Sequence, residues 1–266
     1  MKILYVTSFN EHLHKVTGRA MLESFVYHKT EGDLLIAHED GLDKLIPHHR
    51  KFIFHDLEED EFLAWWLKEN EDVIPVALGG KFEGEYLGVH KFNQRAAQWF
   101  RKIVALNRAM DIKGEYDAII FLDSDIVVHK HLPASKVEEI FDEHSMFYHL
   151  GPHRRESGTG IESGVIGFNL KTMGGALLGI VINKFKSGEF KKYIRWDDGY
   201  VFRMVVEENP HIPTRDVVEA SESSVVEFGP FAEYLVHNKG IHWKTYGLPS
   251  MDGSEDPNFN AGWEKS

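Results

Sequence analysis

Residues 116–128 read YDAIIFLDSDIVV. Within this stretch, residues 118–122 form an uninterrupted apolar run, which predicts a central strand covered on both faces. Asp123 and Asp125 follow the run directly. Side chains two positions apart on an extended strand point to the same face, and two carboxylates there repel each other unless a divalent cation or a proton lies between them. Acidic groups at the carboxyl end of such a strand lie where α/β sheets bind their ligands.

Strands and helices alternate on both sides of this run. Apolar patterning predicts strands at 3–7 and 33–37, and helices at 18–28, 58–70, 92–110, 174–187 and 197–206. Residues 78–88 and 149–160 are predicted to be loops, either plain surface loops or a lid over a bound ligand, and Trp65 and Trp66 are predicted to anchor the core. The alternation predicts an α/β sandwich with a mostly parallel sheet.

Composition limits the classes of function. The chain has 266 residues, with 30 Lys and Arg against 42 Asp and Glu, so its formal charge is −12. This balance argues against nucleic acid as a partner, because that affinity comes mostly from phosphate neutralisation. The absence of cysteine excludes disulfides, thiolate zinc sites and Cys nucleophiles. The apolar stretch 174–182 is far shorter than the roughly 20 residues that span a bilayer, and residues 1–7 lack a signal-peptide pattern. We expect a soluble, cytoplasmic protein without a membrane span.

The predicted helix at 92–110 has a basic polar side. Its cationic residues, counted with the residue just before it, are Lys91, Arg95, Arg101, Lys102 and Arg108. In so acidic a chain, this concentration predicts either a solvated helix face or a local site for an anion.

Paired aspartates after an apolar strand occur in two enzyme classes. Residues 123–127 fit the first motif of haloacid-dehalogenase-like phosphohydrolases, in which Asp123 would be the nucleophile, and Asp197 with Asp198 would bind Mg²⁺. The position argues against this interpretation, because that motif usually opens its domain and here 122 residues precede it.

Four further stretches resemble the other class, the GT-A nucleotide-sugar glycosyltransferases, and most closely their glycogenin-like family 8. They are Lys102 on the basic helix, ESGV at 162–165 with Glu where the family has Asn, DDG at 197–199, and the His237-x-x-Gly240 segment followed by Lys244. Lys244 falls one residue later than in the family, so Lys239 is an alternative. The order of these pieces along the chain supports the resemblance more than any single match does.

The resemblance implies a Rossmann-like mixed, mostly parallel sheet flanked by helices in one GT-A domain at 1–250, with a polar tail at 251–266. It implies transfer of a sugar from a nucleoside diphosphate sugar, with a UDP-sugar favoured, to a glycan or another hydroxyl acceptor. Mn²⁺ or Mg²⁺ would be held by Asp125 and His237, and Asp123 would either be a further ligand or hold the ribose of the donor. Donor contacts are expected from Thr7, Ser8, Asn10, Asp40, Lys102, Ser124, Ser163, Gly164, Asn169, Gly240 and Lys244.

Three carboxylates are candidates for the reacting centre: Glu162, Asp197 and Asp198. The His-x-x-Gly resemblance favours a retaining reaction, whereas an inverting enzyme would need Glu162 or Asp198 as a base beside the acceptor hydroxyl. A third hypothesis is a protein that binds nucleotide sugars without turnover.

Overall fold

The strand that precedes Asp123 lies inside a mixed sheet. The computed structural model describes residues 1–71, 95–218, 226 and 229–238. Its strands, in chain order, are β1 (Ile3–Phe9), β2 (Asp33–His38), β3 (Phe52–Asp56), β4 (Ala118–Leu122), β5 (Ile126–Val128), β6 (Met146–His149), β7 (Glu162–Asn169), β8 (Thr214–Asp216) and β9 (Leu235–His237).

Seven of these strands form one sheet in the order β3-β2-β1-β4-β7-β6-β8. Neighbours are parallel except at β7, which runs antiparallel to both β4 and β6. The predicted α/β class with a mixed, mostly parallel sheet is therefore confirmed. Because β7 runs in the opposite direction, its first residues lie beside the last residues of β4. A separate ribbon pairs β5 with β9.

Helices cover both faces of the sheet. They are α1 (Glu11–Leu13), which continues into a π-helical turn (His14–Gly18), α2 (Arg19–Tyr27), α3 (Glu61–Glu69), α4 (Ala96–Asp111), α5 (Ala134–Phe141), α6 (Gly151–Glu156), α7 (Gly174–Lys186) and α8 (Asp198–Glu208). Short 3₁₀ turns lie at Leu42–Lys44, Lys113–Glu115 and Glu189–Lys192. Helices were thus correctly predicted at 18–28, 58–70, 92–110, 174–187 and 197–206, with residues 92–94 of the third range lying outside the described residues.

The core has two layers, one on each face of the sheet. Leu4 and Val6 of β1 pack with α3, α4, α7 and α8, while Ile3 and Tyr5 pack with α2 and α5. This alternation follows from the period-2 geometry of a strand. The sheet is therefore covered by apolar side chains on both faces.

Two local predictions were wrong. Residues 149–160 do not form a loop throughout, because the Asp216 carboxylate accepts hydrogen bonds from the backbone N–H groups of Leu150 and Gly151 and α6 starts there. Trp65 does not anchor the core: it is 41% exposed, whereas Trp66 is fully buried and stacks on Phe100 with ring centroids 3.9 Å apart.

Several predictions lie outside the described residues: the loop at 78–88, Lys91, Lys239, Gly240, Lys244 and the tail at 251–266. The proposed division at residue 250 stays a prediction for the same reason. Among the described helices, none has the length and apolar character needed to cross a bilayer.

Candidate functional site

Asp123 and Asp125 lie in a tight turn between β4 and β5. The strand ends at Leu122, and the N–H of Ile126 donates to the Asp123 carbonyl over 3.0 Å. The expectation that both side chains lie on one extended strand is therefore wrong, because β4 ends before Asp123 and a turn follows. The N–H of Asp123 donates to the Gly164 carbonyl over 2.8 Å, which fixes the turn against β7.

The ribbon of β5 and β9 brings His237 to this turn. Ile126 pairs with His237, and the N–H of Asn238 donates to the Asp125 carbonyl over 2.9 Å. As a result, Nε2 of His237 lies 3.2 Å from Oδ1 of Asp125, and both side chains are buried. Burial lowers the pKa of His237, but the hydrogen bond and charge of Asp125 outweigh it, so the pKa is raised above its ordinary value.

Gly164 lets His237 approach Asp123. A Cβ atom at position 164 would lie 2.9 Å from Cε1 of His237 and 3.3 Å from Oδ2 of Asp123. The first distance is shorter than a normal carbon–carbon contact. A side chain at 164 would therefore displace the imidazole, so glycine is required for this close arrangement.

Asp123, Glu162 and His237 form a group with metal-ligating geometry. One ligand atom from each lies within 4.8 Å of the others. Carboxylate oxygens with an imidazole nitrogen suit Mn²⁺ among the divalent ions. The sequence predicted Asp123, Asp125 and His237 as the ligands; the structure brings Asp125 onto His237 and adds Glu162 to the group.

Lys102 supplies a buried positive charge next to this group. Its Nζ lies 3.0 Å from Oδ1 of Asp123 and 2.8 Å from Oδ2 of Asp198, and it donates to the carbonyl and the hydroxyl of Ser163, both over 3.0 Å. Burial lowers the pKa of Lys102, but the two carboxylates outweigh this effect and raise it. The ammonium therefore stays charged and links α4, β7, α8 and the Asp123 turn.

The other cations of α4 do not share this role. Arg101 pairs with Glu39 over 2.8 Å, and Arg108 lies 3.7 Å from Asp111. Of the two interpretations of the basic side, the solvated face does not apply to Lys102, because its side chain is buried against Asp123 and Asp198. Arg101 also lies at the carboxyl edge of the sheet, since Glu39 directly follows β2, but it is Lys102 that contacts Asp123 and Asp198.

The ionisation of Asp123 depends on these neighbours. Burial raises the pKa of Asp123; Lys102 opposes that shift, and Asp125 adds to it. An opposite charge at short range favours ionisation and a like charge disfavours it. An additional cation close to Asp123 would favour its ionised form.

Asp197 and Asp198 have different environments. Asp197 caps α8 by accepting a hydrogen bond from the N–H of Tyr200 over 3.1 Å, and it pairs with Arg195 over 2.8 Å. Burial raises the pKa of Asp197, against the pull of Arg195. Asp198, one residue on, faces Lys102. The structure thus brings Asp198 to the site and ties Asp197 to the start of a helix, where an aspartate is a favoured cap.

Four of the predicted donor-contact residues lie at the carboxyl ends of β1 and β2: Thr7, Ser8, Asn10 and Asp40. Thr7 is fully buried and its hydroxyl has no hydrogen-bond partner among the described residues, while Ser8 is partly buried. Asn10 accepts a hydrogen bond from the N–H of Leu13, and Asp40 accepts one from the N–H of Glu11, each over 2.9 Å. Asn10 and Asp40 therefore organise the start of α1 in this structure.

Ser124 is held by a neighbouring hydroxyl. Its Oγ lies 3.2 Å from Oγ1 of Thr17, and both residues are buried. This contact ties the turn that contains Asp123 to the π-helical segment His14–Gly18 that follows β1.

The prediction for Asn169 is wrong in its placement. Asn169 is the last residue of β7 and pairs with Ala118, the first residue of β4, so it lies at the opposite edge of the sheet from Asp123. Its side chain accepts a hydrogen bond from the N–H of Lys171. The antiparallel direction of β7 puts Glu162, not Asn169, at the carboxyl edge.

His149 is a neighbour of the site that the sequence did not reveal. It pairs with Glu162 across β6 and β7, is fully buried, and donates through Nδ1 to the Val165 carbonyl over 3.0 Å. Burial lowers the pKa of His149 to about 4. With 16 histidines in the chain, its type alone carries no signal; a correct prediction of β6 and of its partner strand would have been needed.

No family model matches this chain, and no curated protein matches it. Among solved structures, mouse xyloside xylosyltransferase 1 in its apo form is similar, with 17% identity, a TM-score of 0.47, and coverage of 82% of this chain and 86% of that one. A glycosyltransferase involved in glycosylation of the major capsid of PBCV-1 shares 13% identity, with a TM-score of 0.48 and coverage of 92% and 98%. The glycosyltransferase GlyE of Streptococcus pneumoniae TIGR4 shares 14% identity, with a TM-score of 0.45 and coverage of 81% and 45%. Because each TM-score lies below 0.5, the likeness adds nothing to the chemistry that the site's own residues support.

Proposed function

We propose that this protein is a metal-dependent glycosyltransferase that moves a sugar from a nucleoside diphosphate sugar, with a UDP-sugar favoured, to a hydroxyl acceptor. The observation that carries the proposal is the convergence of Asp123, Glu162 and His237 beside the buried ammonium of Lys102. This convergence lies at the carboxyl edge of the parallel strands, where α/β sheets bind ligands.

The candidate metal ligands fit a divalent cation. They are two carboxylates and one imidazole, and Gly164 keeps the space beside them free of a side chain. Asp125 contacts His237 and is the further ligand that the sequence predicts. A cation bound there would act as a Lewis acid on the diphosphate. Mn²⁺ is the favoured ion, because it accepts both oxygen and imidazole ligands.

Lys102 has a separate part in the proposed reaction. Negative charge grows on the diphosphate as the bond to the anomeric carbon breaks, and a fixed positive charge stabilises that change most when it is already in place. The contacts of Lys102 with Asp123, Asp198 and Ser163 hold its ammonium in one position before any ligand arrives. Lys102 therefore provides preorganised charge without reorganisation during the reaction.

The stereochemical course is proposed to be retaining, on the resemblance of the His237 segment. In the inverting alternative, Glu162 or Asp198 takes the proton from the acceptor hydroxyl. Both carboxylates face a cation, Arg154 and Lys102 respectively, and an ionised carboxylate is what a base requires. The anomeric configuration of the glycoside product, read by proton NMR, distinguishes the two courses.

A thermal-shift panel tests the proposed function. UDP, GDP, CMP and their sugars are added with and without Mn²⁺, and release of nucleotide is measured in parallel. We expect stabilisation by a UDP-sugar that needs Mn²⁺, with slow release of UDP that is lost in Asp125→Asn. The matched control is Asp111→Asn, at an exposed position on α4. Transfer by Asp125→Asn at the wild-type rate would contradict the metal assignment.

Two alternatives have their own outcomes in the same panel. Mn²⁺-dependent stabilisation without any nucleotide release would indicate a binding protein. Cleavage of phosphate monoesters with a trapped phosphate on Asp123 would indicate the phosphohydrolase. That alternative needs Asp197 as a metal ligand, whereas Asp197 caps α8 and pairs with Arg195.

A further inference from the structure

Glu162 lies where a cation ligand would lie, although the sequence gives it a different role. It is the first residue of β7, is buried, and comes from the strand whose Gly164 carbonyl holds the N–H of Asp123. The reversed direction of β7 therefore delivers a carboxylate to the edge where β4 ends. This position follows from the backbone and does not depend on a bound ligand.

The distances within the group match those around one cation. Ligand atoms of Asp123, Glu162 and His237 lie within 4.8 Å of one another. Ligands that each lie about 2.0–2.6 Å from a hard divalent ion are themselves no more than about 5 Å apart. The three side chains therefore need only small adjustments to share one ion.

Glu162 already has a positive partner, the guanidinium of Arg154. Arg154 reaches it from α6, and it also donates to the Gly160 carbonyl over 2.9 Å. The backbone carbonyl of Arg154 in turn accepts from Arg203 of α8, which anchors the segment. A buried carboxylate keeps its charge only with such a partner, so Arg154 occupies the electrostatic place that a bound cation would take.

We propose that Glu162 is a direct ligand of the divalent cation together with Asp123 and His237, and that Arg154 is its counter-ion until the cation replaces it. This inference deepens the proposed function, on whose cation it rests. It assigns Glu162 to the metal and not to the donor sugar or to the acceptor proton. Arg154 is a positioning residue, since it acts only through Glu162.

Binding of Mn²⁺ to the full chain, without nucleotide and followed by electron paramagnetic resonance of the free ion, tests the assignment. Loss of an outer-shell partner already lowers metal affinity about 10- to 100-fold, so Glu162→Gln should weaken Mn²⁺ binding at least about tenfold. Arg154→Gln should strengthen it several-fold, because the ion no longer competes with the guanidinium. Glu156→Gln, an exposed glutamate on α6, is the matched control and should bind as the wild type does.

Each outcome decides one part of the proposal. Wild-type affinity in Glu162→Gln would overturn the ligand assignment. Unchanged or weaker binding in Arg154→Gln would overturn the exchange with Arg154. If Glu162→Gln does not fold, as judged by circular dichroism, Glu162→Asp replaces it; its shorter side chain should also weaken binding, and wild-type affinity there would overturn the assignment.

Failure of the proposed function is distinguishable from failure of this inference. If Mn²⁺ affinity depends on Glu162 but the protein transfers no sugar and releases no nucleotide, the transferase proposal is contradicted and the assignment of Glu162 as a metal ligand is supported. If the protein transfers sugar but its Mn²⁺ affinity is independent of Glu162, the transferase proposal is supported and the ligand assignment is contradicted.

Discussion

Nζ of Lys102 lies 2.8 Å from Oδ2 of Asp198, and both side chains are almost completely buried. The same ammonium lies 3.0 Å from Asp123. One lysine therefore holds two carboxylates, from α8 and from the turn after β4, at one point of the sheet edge. Removal of one member of a buried charged group leaves the others without compensation, which costs more than the loss of an exposed pair.

Lys102→Met is expected to lower the free energy of unfolding by about 3–5 kcal/mol, because Asp123 and Asp198 lose their shared cation. Urea unfolding at neutral pH measures the effect. The control is Lys192→Met, whose lysine is 75% exposed and pairs with Glu189; it should lose no more than about 1 kcal/mol. Equal losses of unfolding free energy in the two variants would show that the buried cluster stabilises the protein no more than an exposed ion pair does.

Gly164→Ala should impair Mn²⁺ binding, since the new Cβ would lie 2.9 Å from Cε1 of His237. We expect an affinity at least about tenfold lower, as for a misplaced ligand. Gly179→Ala is the control: its Cβ would meet nothing within 4 Å on α7, so it should stabilise the helix by about 0.5–1 kcal/mol. Titration with Mn²⁺ should show no change for Gly179→Ala. Retained affinity in Gly164→Ala would mean that His237 does not need this close approach.

The buried ring of His149 is expected to lower the free energy of unfolding in acid. Because burial lowers the pKa of His149 to about 4 from its ordinary value of 6.5, the folded state favours the neutral ring. Its contribution is complete above pH 6.5 and is lost as the pH falls toward 4. The difference in unfolding free energy between wild type and His149→Gln should therefore shrink by about 3 kcal/mol across this range, at about 1.4 kcal/mol per pKa unit. Parallel stability curves for the two proteins would contradict the buried, neutral state.

Two adjacent tryptophans offer a matched test of the core. Trp66→Ala should cost about 3–5 kcal/mol, because the fully buried ring stacks on Phe100 and donates to the Phe185 carbonyl over 3.1 Å. Trp65→Ala should cost about 1 kcal/mol or less, since that side chain is 41% exposed. Chemical denaturation of both variants measures the contrast. A similar cost at both positions would mean that the α3 packing is assigned to the wrong tryptophan.

The sequence was sufficient to predict the central strand and the acidic residues at its carboxyl end. An apolar run such as 118–122 is typical of a covered strand. Charge alone marked five cations along the predicted helix, and the family resemblance then selected Lys102 among them. The choice between Trp65 and Trp66 was beyond the sequence, because both fit the helical pattern and only the position of Phe100 decides which one is buried.

The direction of β7 was the other feature that could not be predicted from the sequence. A parallel β7 would have put its end, near Asn169, at the ligand edge, whereas the antiparallel β7 puts Glu162 there. Local patterning is the same for both directions, since burial of alternate residues does not depend on which way the chain runs. The turn at Asp123–Asp125 could not be predicted from local sequence either. Its shape depends on the pairing of β5 with β9, a strand more than a hundred residues away along the chain.

The pairing of β5 with β9 also sets the order in which the cluster is completed during synthesis. Asp123 and Glu162 leave the ribosome well before His237, which reaches them only when the three residues of β9 align with β5. A nascent chain that ends before that point has its two carboxylates without the imidazole. The proposed cation site is therefore complete only after β9 has paired with β5, and metal capture would report that this ribbon has formed.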